Sequence, residues 1–175
     1  MKHFIAIVLL LCPGSMLAQE FDLLIINGRL IDGTGNSWRY ADIGIKGDHI
    51  VAIGNLKKGS AKHTIDASQK IVAPGFIDVH THIERNVDNM LASNFVLDGV
   101  TSVITGNCGS SYTDIAHYAF QLDSARTSIN VASLIGHNSV RRAVMGESMR
   151  DPTSDEQKEM EAVVGTGMQD GAVGM

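Results

Sequence analysis

From Pro74 onward, short β-branched runs alternate with helix-like stretches, and this alternation restricts the fold more than any other feature of the chain. Phe76-Ile77-Asp78-Val79 reads as a strand. Asp88 to Leu97 reads as a helix, with Leu91 and Phe95 four apart and Gly99 as its C-terminal stop. Val100 to Thr105 is a second strand, and Asp114 to Leu122 a second helix with Ile115, Ala119 and Leu122 on one face. Ile129 to Ile135 is a third strand. Thr153-Ser154-Asp155-Glu156 is a capping box that opens a helix through Met160, Val163, Val164 and Met168. Gly171 to Met175 reads as the start of a fourth strand. Strands and helices alternating through short links build a parallel sheet, so residues 74–175 are of the α/β class.

Residues 19–73 have a different texture. Asp22 to Gly28 is strand-like and ends in a turn signal, Ala41 to Lys46 alternates apolar and polar, and His49 to Ile53 returns after Lys46-Gly47-Asp48. Ile65 and Ile71-Val72 mark further short strands. Regular strands with Gly and Asp turns predict a small β-domain. His49 and His63 fall at turns or edges and read as solvent-facing.

Residues 1–18 read as a signal peptide. Lys2 gives a basic start, Phe4 to Leu11 is too short an apolar run to span a bilayer, and Ala18 offers a small residue for cleavage. Pro13-Gly14 excludes a core helix there. Cys12 hints at lipidation, but the large Leu11 before it favours soluble export, periplasmic or secreted, with no stable membrane insertion. A net charge of −5 argues against a nucleic-acid partner.

Within this frame the residues with chemistry collect at strand ends. His80 and His82 follow the first strand with one residue between them, so on extended backbone they face the same way. Cys108 follows the second strand in Gly106-Asn107-Cys108-Gly109. Once a signal is removed it is the sole cysteine and has no internal disulfide partner. Its polar, loop-forming neighbours favour a ligand over a buried thiol. His137 follows the third strand. In a (β/α)8 barrel these C-terminal strand ends form the active-site face. Imidazole and thiolate are the donors zinc prefers, and a catalytic zinc leaves a position open for water. Asp78 shares the strand face of His80, where it either contacts a ligand histidine or packs inward. Arg141 and Arg142 either fork onto a substrate carboxylate or begin a solvated helix.

The order of these pieces resembles the amidohydrolase superfamily, and more closely the N-acyl-D-amino-acid deacylases, or D-aminoacylases. The resemblance is carried by Asn27-Gly28-Arg29-Leu30-Ile31-Asp32-Gly33-Thr34-Gly35, by Ala73-Pro74-Gly75-Phe76-Ile77-Asp78-Val79-His80-Thr81-His82, and by Gly99-Val100-Thr101-Ser102-Val103. It continues through Gly106-Asn107-Cys108-Gly109, Gly136-His137-Asn138-Ser139-Val140-Arg141 and Gly171-Ala172-Val173-Gly174-Met175. It implies an α/β fold: an incomplete metal-dependent (β/α)8 amidohydrolase barrel preceded by part of a small β-sandwich domain. It implies that His80, His82 and Cys108 hold one or two Zn2+ ions, with Cys108 the thiolate ligand, and that an N-acyl-D-amino acid is the small-molecule substrate. Asp78, Glu84, His137 and Arg141 are the candidates for residues beside the site, His137 either lining its mouth or holding its own loop. Ile83-Glu84 stands where the family often carries two acidic residues, and Glu84 partly substitutes for them.

The family's remaining metal histidines and its catalytic aspartate are expected beyond Met175. A whole barrel takes about 250 residues, so the chain reads as the N-terminal portion of a longer protein and is expected to be inactive alone. The alternatives are another amidohydrolase, acting on cyclic amides or dipeptides, and a truncated metal-binding product without turnover.

Overall fold

The computed structural model describes residues 20–83 and 92–175. The predicted signal peptide and Glu84 lie outside the described residues. The chain divides into two compact units at Pro74/Gly75. Among the described residues, no helix is long and apolar enough to cross a membrane.

The first unit is a five-stranded sheet. Its strands are β1 (Glu20–Leu30), β2 (Arg39–Lys46), β3 (His49–Gly54), β4 (Ser60–Asp66) and β5 (Ile71–Val72). The order is β3-β2-β1-β4, with β5 also pairing β1. β1 runs antiparallel to β2 and parallel to β4 and β5. Leu30, Ala41 and Ile43 form its buried cluster, with Ile25, Ile45 and Val72 packed against them. Asp42 is buried here because it is fully engaged: its carboxylate accepts the N–H of Asn27 at 3.0 Å and of Leu56 at 2.9 Å. His49, paired with Asp48, and His63 are both exposed.

The second unit begins with β6 (Phe76–Asp78), followed by α1 (Ser93–Leu97), β7 (Val100–Thr105), α2 (Ile115–Ala125), β8 (Asn130–Ser133), α3 (His137–Met145) and α4 (Ser154–Gln169). β6, β7 and β8 form a parallel sheet in that order. Beyond β8, the Val173 N–H donates to the Ser133 carbonyl at 2.9 Å and the Ile135 N–H to that of Gly174 at 2.9 Å. The chain after α4 therefore joins the free edge of β8, where the fourth strand was expected. This is strand–helix alternation with every strand end pointing one way, the arrangement of part of a (β/α) barrel.

Two apolar clusters cover the sheet. Ile83, Ala92, Val103 and Ile129 form one, supported by Phe95, Leu122 and Val131. Ile115, Ile135, Val140, Met145, Met160 and Ala172 form the other, joining α2, α3 and α4. Full burial of such side chains contributes about 1.5–3 kcal/mol each. The capping box is present as predicted: Thr153 accepts from Glu156 N–H, and Glu156 accepts from Thr153 N–H at 2.8 Å. Met168, expected on the apolar face of α4, is instead exposed.

Three elements differ from expectation. β6 ends at Asp78 because the Asp78 carboxylate accepts the His80 N–H at 3.1 Å, which turns the backbone out of the ladder. β8 covers only Asn130–Ser133. The third difference is α3, whose start carries the glycine, asparagine and serine of a loop; its helix is held by burial of Val140 and Met145.

Candidate metal centre

The metal-centre residues are set by what β7 does to the segment after β6. Thr81 is buried, and both its N–H and its Oγ1 donate to the Ile104 carbonyl, at 3.1 and 2.9 Å. This pins the chain beyond the formal end of β6. Exposure then alternates residue by residue: His80 and His82 are exposed, Thr81 and Ile83 buried. The two imidazoles therefore share the solvent-facing side of the segment, as expected of the pair, although the backbone bends at Val79 and His80 and the strand proper has ended. The two imidazole centroids lie 5.5 Å apart with ring planes at 72°.

Cys108 approaches from the loop after β7. The turn that delivers it has positive φ at Gly106 (82°), Cys108 (56°) and Gly109 (76°). A left-handed backbone at a residue with a Cβ costs about 1–2 kcal/mol, so neighbouring contacts must hold it. They come from the third strand's continuation. Ser139 N–H donates to the Gly109 carbonyl at 3.1 Å, and the Asn138 amide to the Cys108 carbonyl at 3.5 Å. Ser111 and Ser139 complete the clasp, Ser111 N–H donating to Ser139 Oγ at 3.0 Å and Gly136 N–H to Ser111 Oγ at 2.7 Å. A Cβ on Gly136 would lie 2.4 Å from the Gly109 backbone, so only glycine admits this approach.

The outcome is a convergence of three donors. Cys108 Sγ lies 3.4 Å from His80 Nε2. One donor atom from each of His80, His82 and Cys108 falls within 4.8 Å of the others, the only such grouping of three or more histidine, cysteine or acidic side chains among the described residues. Zn–N bonds of about 2.0–2.1 Å and a Zn–S bond of about 2.3 Å in a tetrahedral set put nitrogen and sulfur about 3.6 Å apart. The observed thiol–imidazole separation matches that geometry. The donor set, two imidazoles and one thiol open to solvent, fits zinc with a position to spare.

The other sequence-predicted residues lie around this cluster in different roles. Asp78 is half-buried and reaches His80 through its backbone N–H. His137 is exposed on the first turn of α3, outside the three-donor cluster. Arg141 donates to the carbonyls of Ser148, at 3.0 Å, and Arg150, which fastens the loop after α3. Arg142 pairs with Glu147 at 2.9 Å on the surface. The sequence gives Ser111, Asn138 and Ser139 no individual role, although Asn138 and Ser139 stand in the Gly136–Arg141 motif that carries the resemblance.

Residues 63–175 match the sequence pattern of the amidohydrolase family. The chain belongs to that family. Within it, the likeness is to D-aminoacylases. The D-aminoacylase of Alcaligenes xylosoxydans xylosoxydans is 38% identical over 186 residues, covering 90% of this chain and 38% of the relative. A solved D-aminoacylase, studied for its binuclear metal centre with one-metal activation and second-metal attenuation, superposes with a TM-score of 0.82 at 34% identity, over 88% of this chain and 38% of that one. The N-acyl-D-glutamate deacylase of Bordetella bronchiseptica, complexed with zinc and a phosphonate inhibitor that mimics the tetrahedral intermediate, gives a TM-score of 0.79 at 37% identity, over 89% of this chain and 38% of that one. The second unit of this amidohydrolase is thus part of an amidohydrolase barrel. The chain spans about 38% of the length of these relatives.

Proposed function

We propose that the protein to which this chain belongs hydrolyses the amide bond of N-acyl-D-amino acids, using one or two zinc ions held in part by His80, His82 and Cys108. The observation that carries this is the 3.4 Å approach of the Cys108 thiol to His80 within a cluster of nitrogen and sulfur donors. Likeness to D-aminoacylase and to a zinc-bound N-acyl-D-glutamate deacylase supports the substrate class.

In the reaction, water and the amide yield a carboxylate and a free D-amino acid. His80 and His82 offer neutral imidazole nitrogens, and Cys108 offers its sulfur as thiolate. When bound, zinc supplies Lewis acidity, polarising the amide carbonyl and acidifying the attacking water. Asp78 fixes the backbone at His80, from which the imidazole projects. Thr81, locked on Ile104, sets the spacing between the two imidazoles. Asp78, His137 and Arg141 are site-adjacent in this reading, Arg141 acting through the loop it anchors. Residues 1–18 export the protein to the periplasm or medium, as the basic start, short apolar run and Ala18 support.

The test is an assay of free amino acid released from N-acetyl-D- and N-acetyl-L-amino acids by the full-length protein. Chelation should abolish D-selective release and zinc should restore it. Cys108→Ala should lose activity by about 10²-fold or more, since several kcal/mol of charge stabilisation go with the metal. Chelator-insensitive hydrolysis, or turnover of cyclic amides instead, would overturn the proposal.

A further inference from the structure

We infer that Asn107 is a positioning residue of the metal centre, the side chain that registers the thiol against the histidine pair. This rests on the metal-binding reading above. Asn107 directly precedes Cys108 and is half-buried. Its amide nitrogen donates to the Ile104 carbonyl at 3.0 Å and to the Thr81 carbonyl at 3.5 Å. The Thr81 carbonyl belongs to the peptide that links Thr81 to His82. The Ile104 carbonyl also receives the Thr81 N–H and hydroxyl. One amide group, attached to the thiol loop, therefore touches both the histidine segment and the strand on which that segment is anchored.

The backbone of the loop explains why such a tether is needed. Gly106, Cys108 and Gly109 all have positive φ, and Cys108 carries a Cβ in that conformation. Its far side is held by α3 through Gly109 and Asn138. The near side, facing the imidazoles, is held by Asn107. Two carbonyl oxygens converge on the same NH2 group, so the position calls for a donor. A carboxylate of the same shape would place acceptor against acceptor, and an aliphatic side chain would leave both contacts unmade.

The experiment compares N107D and N107L with N130L in the full-length protein. Asn130 is a matched control: its amide also bridges two groups of the sheet, the Thr101 carbonyl at 3.2 Å and Ser102 Oγ at 3.3 Å, at the other end of the strands. Zinc affinity is read by chelator competition, thiolate coordination by the sulfur-to-cobalt charge-transfer band of the Co2+-loaded protein, and stability by thermal unfolding without metal. The expected result is a loss of about 10–100-fold in zinc affinity for N107D and N107L, with a weaker charge-transfer band per bound cobalt. N130L should lower the unfolding temperature and leave affinity and spectrum unchanged. Wild-type affinity and spectrum in the Asn107 variants would overturn the inference, as would an equal loss in N130L. If N107D and N107L both fail to fold, Asn107 is a fold-stabilising residue and the inference is overturned too. If the wild-type protein shows no thiolate band and C108S leaves zinc affinity unchanged, the metal-binding reading itself fails.

Discussion

Replacing Gly136 by alanine adds one methyl group where the turn before α3 meets the Cys108 loop. The new Cβ would stand 2.4 Å from both the carbonyl carbon and oxygen of Gly109 and 2.7 Å from Ser110 N. All three atoms are backbone, so no side chain can swing aside. Ordinary contact begins at 3.4 Å, so the loop and the helix start must separate by 3.4 − 2.4 = 1.0 Å. The φ of Gly136 is −79°, which alanine adopts freely, so the cost is steric alone. Overpacking of this kind costs about 1–3 kcal/mol, or about 2–12 °C in unfolding temperature for a chain of this size. The functional effect runs through Cys108. A 1 Å shift would strain the Ser139–Gly109 and Gly136–Ser111 hydrogen bonds and take the thiol off the 3.4 Å approach to His80. Zinc affinity should then fall by about tenfold or more. Thermal unfolding without metal and chelator competition read the two effects separately. An alanine variant that melts within a degree of wild type and binds zinc equally well would refute the close packing of turn on loop.

Two further outcomes concern α4. Gly165 lies inside the helix with nothing within 4 Å of its would-be Cβ, so Gly165→Ala should stabilise the protein by about 0.5–1 kcal/mol in denaturant titration. Glu156 is held down to about 2, first by its hydrogen bonds with Arg150 and then by the Thr153 N–H, against an ordinary value of 4.5. A depressed folded value stabilises above pH 4.5 and is lost as pH falls from there toward 2. Acid unfolding curves should therefore drop more steeply over that window in wild type than in Glu156→Gln, and parallel curves would contradict the cap geometry.

What could be read from the chain without coordinates follows from how local each signal was. β7 runs over Val100–Thr105 as expected, because the β-branched run follows directly on a glycine stop. The start of α4 is equally local, its two reciprocal hydrogen bonds lying within four residues. β4 was signalled only at Ile65, yet it runs from Ser60 to Asp66, mostly exposed and polar. It forms by backbone pairing with β1, which leaves no alternation to read. α3 was hidden by its loop-like beginning, since the buried Val140 and Met145 cluster with Ile115 of α2, Met160 of α4 and Ile135 beyond β8. In the metal centre, the three donor residues stood out by type and by position at strand ends. Asn107, Asn138 and Ser139 stood within the motifs that carry the resemblance but without a role of their own, and Ser111 had no signal, because their roles depend on which loops become neighbours.

That division has a mechanical consequence. His80 and His82 are spaced by one strand pairing, through Thr81 and Ile104, so their geometry depends on β6 beside β7. Cys108 needs one more layer. Its left-handed backbone is braced on one side by Asn107 against that same pairing and on the other by the residues that follow β8. The three-donor set thus depends on β8 and α3 packed against β7, whereas the imidazole pair depends on β6 and β7 alone. Zinc held by all three donors, as proposed, would stabilise that packing by the free energy with which it prefers the completed set, because a ligand that binds only the assembled state favours assembly. Structural zinc is worth many kcal/mol where its ligands are otherwise unorganised. On the proposed function, the segment from Gly106 to Ser139 is where metal occupancy and the stability of the sheet would be most closely linked.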